Sequence, residues 1–511
     1  MTGSVLMIQG CASSVGKSMI TTGLCRLFRR RGLSVAPFKA QNIALNSYVT
    51  LEGHEIGRSQ AVQAEAAGIE PTVDMNPVLL KPEGDSRCQV IVMGRPESGW
   101  DTSQFSDRKT YLSTVVSSSL ERLRAQYDVV VIEGAGSPAE INLRENDIVN
   151  MHVALLAKAP ILLVGDIDLG GVFAHFYGTL GLLDETDRAQ FAGLLINKFR
   201  GDIGLLEPGI KMIEERVGIP ILGVVPYVQH LRIAEEDGVA LDQRKNVRRA
   251  TKNEIEIAVV RFPRISNYDD FMALEHEPGV VVRYVESAAE LVEADLVILP
   301  GTKDTRADLD WLRQAGMESV LTERAAQGLP ILGVCGGYQM LGRTIDDPGG
   351  IEGQPGSTTG LGLLPVSTRF RQQKTTTRRS FHPATSSGSF MTTGLNSQAA
   401  ISGYEIHMGD VLLGDEATAL FVDSVDQSAR GAVQGSVSGT LLHGLFENTE
   451  LRASMLGSLR AGRKGLPVFT PSSDLPSTDQ EYDRLAEVLE GCLDMQRIDE
   501  LLARGDFPWT E

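Results

Sequence analysis

The chain has 511 residues, 42% hydrophobic and 22% charged. This is ordinary globular usage, and the length predicts two or three domains. Its 48 Lys+Arg against 66 Asp+Glu give a formal net charge of -18, which disfavours nucleic acid and anionic membranes as partners, so any bound anion must be held by local devices.

The N-terminus runs straight into a Gly-rich loop without a basic leader, so no secretory signal is expected. A short apolar run, Val5–Gln9, reads as a buried strand. It leads into Gly10-Cys-Ala-Ser-Ser-Val-Gly16-Lys17-Ser18 and a helical segment. Small residues let backbone N–H groups approach phosphate, and a helix N-terminus adds positive potential. In a P-loop, Lys17 reaches the β- and γ-phosphates of ATP and Ser18 holds Mg²⁺. Five residues separate the two glycines instead of the usual four, so this is a P-loop variant. A plain Gly/Ser turn before a helix is the bland alternative.

Further strands are expected at Val129–Ile132, Ile161–Val164 and Leu194–Ile196. Strand and helix signals alternate, which points to α/β layers. Glu133 ends the first of these strands, where a Walker B acid binds Mg²⁺ or orders its water. Asp166 and Asp168 end the next, as metal or substrate ligands or as turn formers. Asn197-Lys198 ends the third, in a place suited to a nucleobase or simply to solvent. The stretch Val153–Asp166 is broken by Lys158 and Pro160, so it is too short to span a bilayer.

Residues 235–254 are dense in charge and read as a linker or an exposed hairpin. A second α/β series then begins, with strands at Ile257–Arg261, Leu296–Leu299 and Ile331–Val334. The last of these runs into Cys335-Gly-Gly-Tyr-Gln, a strand–turn–helix elbow. Small neighbours tolerate the strained backbone of a nucleophile, the helix lowers the thiol pKa, and the N–H of Gly336 follows the nucleophile as an oxyanion donor. Gly301, at the end of the preceding strand, is a second candidate donor. His443, ending a late strand, is the chosen base, and His407 is its rival. Residues 369–396 are rich in Thr, Ser, Arg and Gly and read as irregular or hairpin structure. An amphipathic helix carrying Leu485, Val488, Leu489 and Leu493 closes the chain. The five cysteines, at 11, 25, 88, 335 and 492, contain no CxxC pair, which fits a reduced, cytoplasmic setting.

The motifs QGCASSVGKS, PFKAQN…LNS, MNPVLLKP, VIEGAGSPAEINL, LPGTKDT, GVCGGYQMLG, SGYEIHMG and GTLLHGLFEN closely resemble the cobyric acid synthase family. These are the glutamine-hydrolysing amidases of cobalamin biosynthesis. The resemblance runs over nearly the whole chain. It implies a dethiobiotin-synthetase-like P-loop domain with a parallel sheet, followed by a class I glutamine amidotransferase α/β domain. The expected boundaries are 1–234 for the ATP domain, 235–254 for the linker, 255–450 for the glutaminase and 451–511 for a C-terminal extension. The five-residue loop spacing also occurs in dethiobiotin synthetases. Cys335 and His443 are then nucleophile and base. Gly16, Lys17, Ser18, Asn197 and Lys198 bind ATP, and Ser18 and Glu133 hold Mg²⁺. Lys39, Gln41, Asn42, Asn46 and Asp166 lie near phosphate or substrate. L-Glutamine is the ammonia donor and a corrinoid the substrate. Most class I amidotransferases carry a Glu two residues after the catalytic His. Here that position is Leu445 and the nearby acid is Glu447, so the resemblance implies a Cys–His dyad. Two other readings are a related amidase acting on another polycarboxylate, and a P-loop ATPase with a non-catalytic sensor domain. Oligomeric state is not legible.

Overall fold

The computed structural model describes residues 2–84, 87–97, 108–229, 231–234, 248–384, 388–463 and 477–508. Most of the expected linker, residues 235–247, lies outside them. Two compact units form. The first holds Met1–Ala44, Ile56–Asp237 and Pro476–Glu511, and the second holds Leu45–Glu55 and Gly238–Leu475.

The first unit is built on a six-stranded sheet in the order Ile221–Pro226, Phe191–Phe199, Ile161–Asp166, Ser4–Gly10, Val129–Glu133, Val35–Phe38. All neighbours are parallel. The central strands are buried along their whole length, as their unbroken apolar runs predict. Parallel strands present all their carboxyl ends on one edge, where α/β sheets bind ligands. The phosphate loop, Lys39, Glu133, Asp166 and Asn197 all lie at or just past such ends.

The stretch read as one C-terminal extension divides between the units. Helix Thr449–Ala461 belongs to the second, while helices Thr478–Cys492 and Met495–Arg504 belong to the first. The helix that starts at Thr478 opens with a capping box, Ser477 with Gln480. Its Leu485 and Leu489 are buried and share a core with Ile20, Leu24 and Phe28 of helix Lys17–Arg30. Val488 is only half-buried, so the buried face is set by Tyr482, Leu485, Ala486 and Leu489. Arg26 completes the contact, with Nε 2.7 Å from Asp483 and Nη1 2.9 Å from Asp479.

The second unit has a six-stranded sheet in the order Val280–Val285, Ile255–Val260, Leu296–Leu299, Ile331–Val334, Val437–Thr440, Ala432–Gln434. The first five strands are parallel and the last is antiparallel. A second sheet contains a long antiparallel ribbon, Val366–Pro383 paired with Ile401–Leu413. The Thr- and Arg-rich stretch is thus mostly a regular hairpin arm, interrupted by a register shift between Phe370 and Thr375. Among the described residues no helix is long and apolar enough to cross a membrane.

Candidate active sites

In the first unit, Gly16 stands at φ +102°, immediately before helix Lys17–Arg30. A Cβ there would fall 2.0 Å from Asn197 Nδ2, so both the backbone conformation and the space require glycine. Lys17 Nζ donates to the carbonyls of Ala12 and Gly136, each at 3.0 Å. This holds the ammonium over the loop. Ser18 Oγ donates to Glu133 Oε1 at 2.8 Å, and Lys39 Nζ lies 3.0 Å from the same oxygen. The other oxygen, Oε2, accepts Gln63 Nε2 at 2.5 Å. Glu133 is fully buried, and a buried carboxylate is tolerated only when charge-paired and hydrogen-bonded. These partners supply both conditions.

Asn197 and Lys198 face the loop itself. Asn197 Nδ2 donates to Val15 O at 2.8 Å, and Lys198 Nζ donates to Ser14 O at 2.9 Å and to Asp166 Oδ2 at 2.7 Å. These side chains tie the loop's carbonyls to the neighbouring strand. A loop that aims its N–H groups inward turns carbonyls outward, and those need donors. Asp166 accepts Lys198 and, through Oδ1, the backbone N–H of Asp168 at 2.8 Å. Through Lys198 it is tied to the loop. Asn42 Nδ2 donates to Gln60 Oε1 at 3.1 Å, and Gln41 leads the same short strand. Asn46 is buried and belongs to the second unit.

In the second unit, Cys335 ends strand Ile331–Val334 with φ +52° and ψ -112°. That backbone region is costly for any residue with a Cβ and marks a nucleophile elbow. Its N–H donates to Thr440 O at 2.8 Å, and the next turn closes through Gln339 N to Cys335 O at 3.1 Å. Gly337 is required here, since a Cβ would fall 2.0 Å from the Leu299 carbonyl oxygen. Burial pushes the thiols of Cys11 and Cys492 up to about 11.

The imidazole base is His443, whose charge is coupled to Cys335, while the thiol itself donates to the Ile406 carbonyl, with Sγ 3.8 Å away. On the ring's other side, Nδ1 lies 2.6 Å from Asp270 Oδ2. Asp270 also accepts Gly444 N at 2.9 Å through Oδ1. Burial alone would lower the imidazole pKa, but the Asp270 carboxylate and Cys335 outweigh it and raise it. The site therefore contains an acid that the sequence reading lacked. Asp270 sits in the short helical turn Tyr268–Phe271, 173 residues before His443, and no local motif marks it. Leu445, where an acid was sought, is buried in the apolar core. His407 turns Nδ1 to Gly409 O, 2.7 Å away on its own strand.

Of the two candidate oxyanion glycines, Gly301 lies beside the base and Gly336 beside Thr302, the residue that follows Gly301. A Cβ on Gly301 would lie 3.2 Å from His443 Cε1, and one on Gly336 would lie 2.6 Å from Thr302 Cγ2. Tyr404 stacks on the imidazole, with centroids 5.3 Å apart and planes at 21°. A nucleophile, a base oriented by a carboxylate and nearby glycine N–H groups are the parts acyl transfer needs.

Residues 6–241 match the family described as a CobQ/CobB/MinD/ParA nucleotide binding domain. Residues 256–451 match the family described as a CobB/CobQ-like glutamine amidotransferase domain. The chain is 53% identical to the cobyric acid synthase of Sorangium cellulosum over 98% of its own length and 99% of that protein. It is 48% identical to the cobyric acid synthase of Desulforamulus reducens, with 98% of each chain covered. It is 47% identical to that of Dehalococcoides mccartyi, covering 98% of this chain and 99% of the relative.

Proposed function

The chain belongs to the cobyric acid synthase family and is a glutamine-hydrolysing, ATP-dependent amidoligase, and from that premise we propose that it amidates the b, d, e and g carboxylates of adenosylcobyrinic acid a,c-diamide, a corrinoid, to give adenosylcobyric acid. The observation that carries this reading is identity of 53% with a cobyric acid synthase along a span that includes both sites.

At Cys335, sulfur attacks the side-chain carbonyl of glutamine. The carbon–nitrogen bond breaks, and His443 passes its proton to the departing ammonia. Asp270 holds the ring so that Nε2 faces sulfur. Water then attacks the thioester, His443 takes the proton, and glutamate leaves with the thiol restored. Gly301 and Gly336 supply N–H groups to the tetrahedral oxyanion.

At the phosphate loop, a substrate carboxylate oxygen attacks the γ-phosphorus of ATP. ADP leaves and an acyl phosphate remains. Ammonia attacks its carbonyl carbon, phosphate leaves, and an amide is formed. Lys17, Lys39 and the loop N–H groups hold the charge that moves during transfer, and Gln41 and Asn42 line the approach of the substrate.

The donor set suits Mg²⁺. Ser18 Oγ and the Glu133 carboxylate are hard oxygen donors 2.8 Å apart, and such sites are completed by phosphate oxygens and water. Among the described residues no cluster of three or more His, Cys, Asp or Glu is placed to hold a metal, so the nucleotide must complete the shell. When bound, the ion neutralises phosphate charge.

The test is a split phenotype. Cys335→Ala is expected to abolish glutamine-driven amidation while keeping amidation driven by free ammonia. Lys17→Ala is expected to abolish both. Loss of ammonia-driven turnover in folded Cys335→Ala would overturn the two-site scheme. Product mass identifies the substrate, each amidation lowering it by about one unit.

A further inference from the structure

Residues Leu45–Glu55 leave the first unit's chain after Ala44 and rejoin it at Ile56, yet they belong to the second unit. The excursion contributes strand Ser47–Val49 and the first residue of its partner strand, Glu55–Gly57. Inside the second unit it is firmly anchored. Glu55 is fully buried, accepts Ser47 Oγ at 2.8 Å and pairs with Lys374 of the long ribbon. Thr376 Oγ1 donates to the Gly53 carbonyl. Val49 forms a small apolar core with Tyr404 and Ile406, and Tyr48 packs against it.

These contacts end on the base of the glutaminase site. Ser47 N donates to Asn267 Oδ1 at 3.1 Å, and Asn267 Nδ2 donates to Tyr404 Oη at 3.1 Å. Tyr404 Oη in turn donates to Ser47 O at 3.4 Å. Tyr48 meets the Tyr404 ring edge-on at 5.5 Å, and the Tyr404 ring lies on the His443 imidazole. Asn267 has a second role. At φ +51° and ψ 41° it opens the helical turn that carries Asp270. One buried residue therefore links the excursion to both groups that fix the imidazole: its amide reaches the ring beneath it, and its backbone opens the turn that carries the carboxylate at Nδ1, with Asp270 N donating to Asn267 O at 3.1 Å.

We propose that the Leu45–Glu55 excursion is a positioning element of the glutaminase site, acting through Asn267 and Tyr404 on His443. The inference rests on the amidotransferase reading above and deepens it. It means that residues 255–450 alone do not complete the base. An imidazole stacked on one ring and tied to one carboxylate has few orientations left. Loosening either support moves Nε2 off the line to sulfur, and displacements of about 1 Å cost on the order of a hundredfold in turnover.

The experiment uses full-length variants. Asn267→Gly keeps the left-handed backbone and removes the amide. Tyr48→Ala alters only the excursion. Tyr404→Phe keeps the stack and removes the hydroxyl, and Tyr404→Leu removes both. Glutamate release is measured with its kcat and KM, beside ammonia-driven amidation. In Asn267→Gly, Tyr48→Ala and Tyr404→Leu, kcat is expected to fall roughly ten- to a hundredfold, with KM for glutamine changed less than about threefold. Tyr404→Phe is expected to fall between these and wild type, and ammonia-driven amidation to remain within about twofold. Wild-type kcat in both Asn267→Gly and Tyr48→Ala overturns the proposal. So does a parallel loss of ammonia-driven activity, which would mean general damage. Cys335→Ala run alongside tests the underlying reading separately, since glutamate release by that variant would sink the glutaminase assignment itself.

Discussion

Asp270 Oδ2 and His443 Nδ1 stand 2.6 Å apart although 173 residues separate them in the chain. The carboxylate accepts from the ring and from the backbone N–H of the next residue, Gly444. It therefore orients both the side chain and the strand end that carries it. In most class I amidotransferases the acid lies two residues after the histidine. Here that position is filled by a core leucine, Leu445, and the acid arrives from the opposite end of the domain.

Asp270→Asn follows directly. An amide can present the wrong hydrogen-bonding face to Nδ1 and so favour the wrong tautomer. Glutamate release is expected to drop on the order of 10² to 10⁴-fold, while ammonia-driven amidation persists. Equal activity of Asp270→Asn and wild type in a glutaminase assay would remove Asp270 from the mechanism.

The same pair makes stability depend on pH. Burial lowers the imidazole pKa, but Asp270 and Cys335 outweigh burial and raise it from 6.5 to about 10. A raised folded-state pKa means that the folded protein holds the proton more tightly than the unfolded chain. The stabilisation is complete below about pH 6.5 and is lost as pH climbs through about 10. Thermal melting across that window is expected to show Tm falling with pH. The fall should be shallower in Asp270→Asn, and an identical slope in the two proteins would refute the assignment.

At the other site, Glu133→Gln removes the charge that Ser18, Lys39 and Gln63 surround. Amidation driven by glutamine or by ammonia is expected to fall on the order of 10²-fold or more, with glutamate release retained. Gln63→Leu, which removes only the donor to Oε2, is expected to cost less. Isothermal titration with ATP and Mg²⁺ reads the same change without turnover, as weakened binding in Glu133→Gln.

The C-terminal helices offer a prediction on folding. Leu489 is fully buried against the helix that follows the phosphate loop. Leu489→Ala is expected to cost about 2–5 kcal/mol in urea unfolding. A cost below about 0.5 kcal/mol, as at exposed surface sites, would mean that the helix is dispensable to the first unit.

Much of this was legible in the chain. The strands ending in Gly10, Glu133, Asp166 and Cys335 read as unbroken apolar runs because a parallel sheet buries both faces. Cys335 stood out because its glycine neighbours are the only residues that fit the turn. Other features were misjudged or missed. Asn197 and Lys198 stood at a polar strand end, which gives no sign that its side chains reach the loop's carbonyls. Gln63, which no motif marks, donates to Glu133. Residues 451–511 looked like one extension because an amphipathic helix shows that it needs a partner without showing which one.

The sequence by itself determined the local devices: a phosphate loop, a cysteine elbow and the strands that carry them. Each depends on small residues at set spacings along a few consecutive positions, so the chain spells it out directly. The tertiary structure alone decided which acid serves His443, what surrounds Glu133, where residues 45–55 belong and which core the last helices complete. Those are pairings between segments tens to hundreds of residues apart. They follow from how sheets and helices bury their apolar faces together, and no spacing in the chain records them.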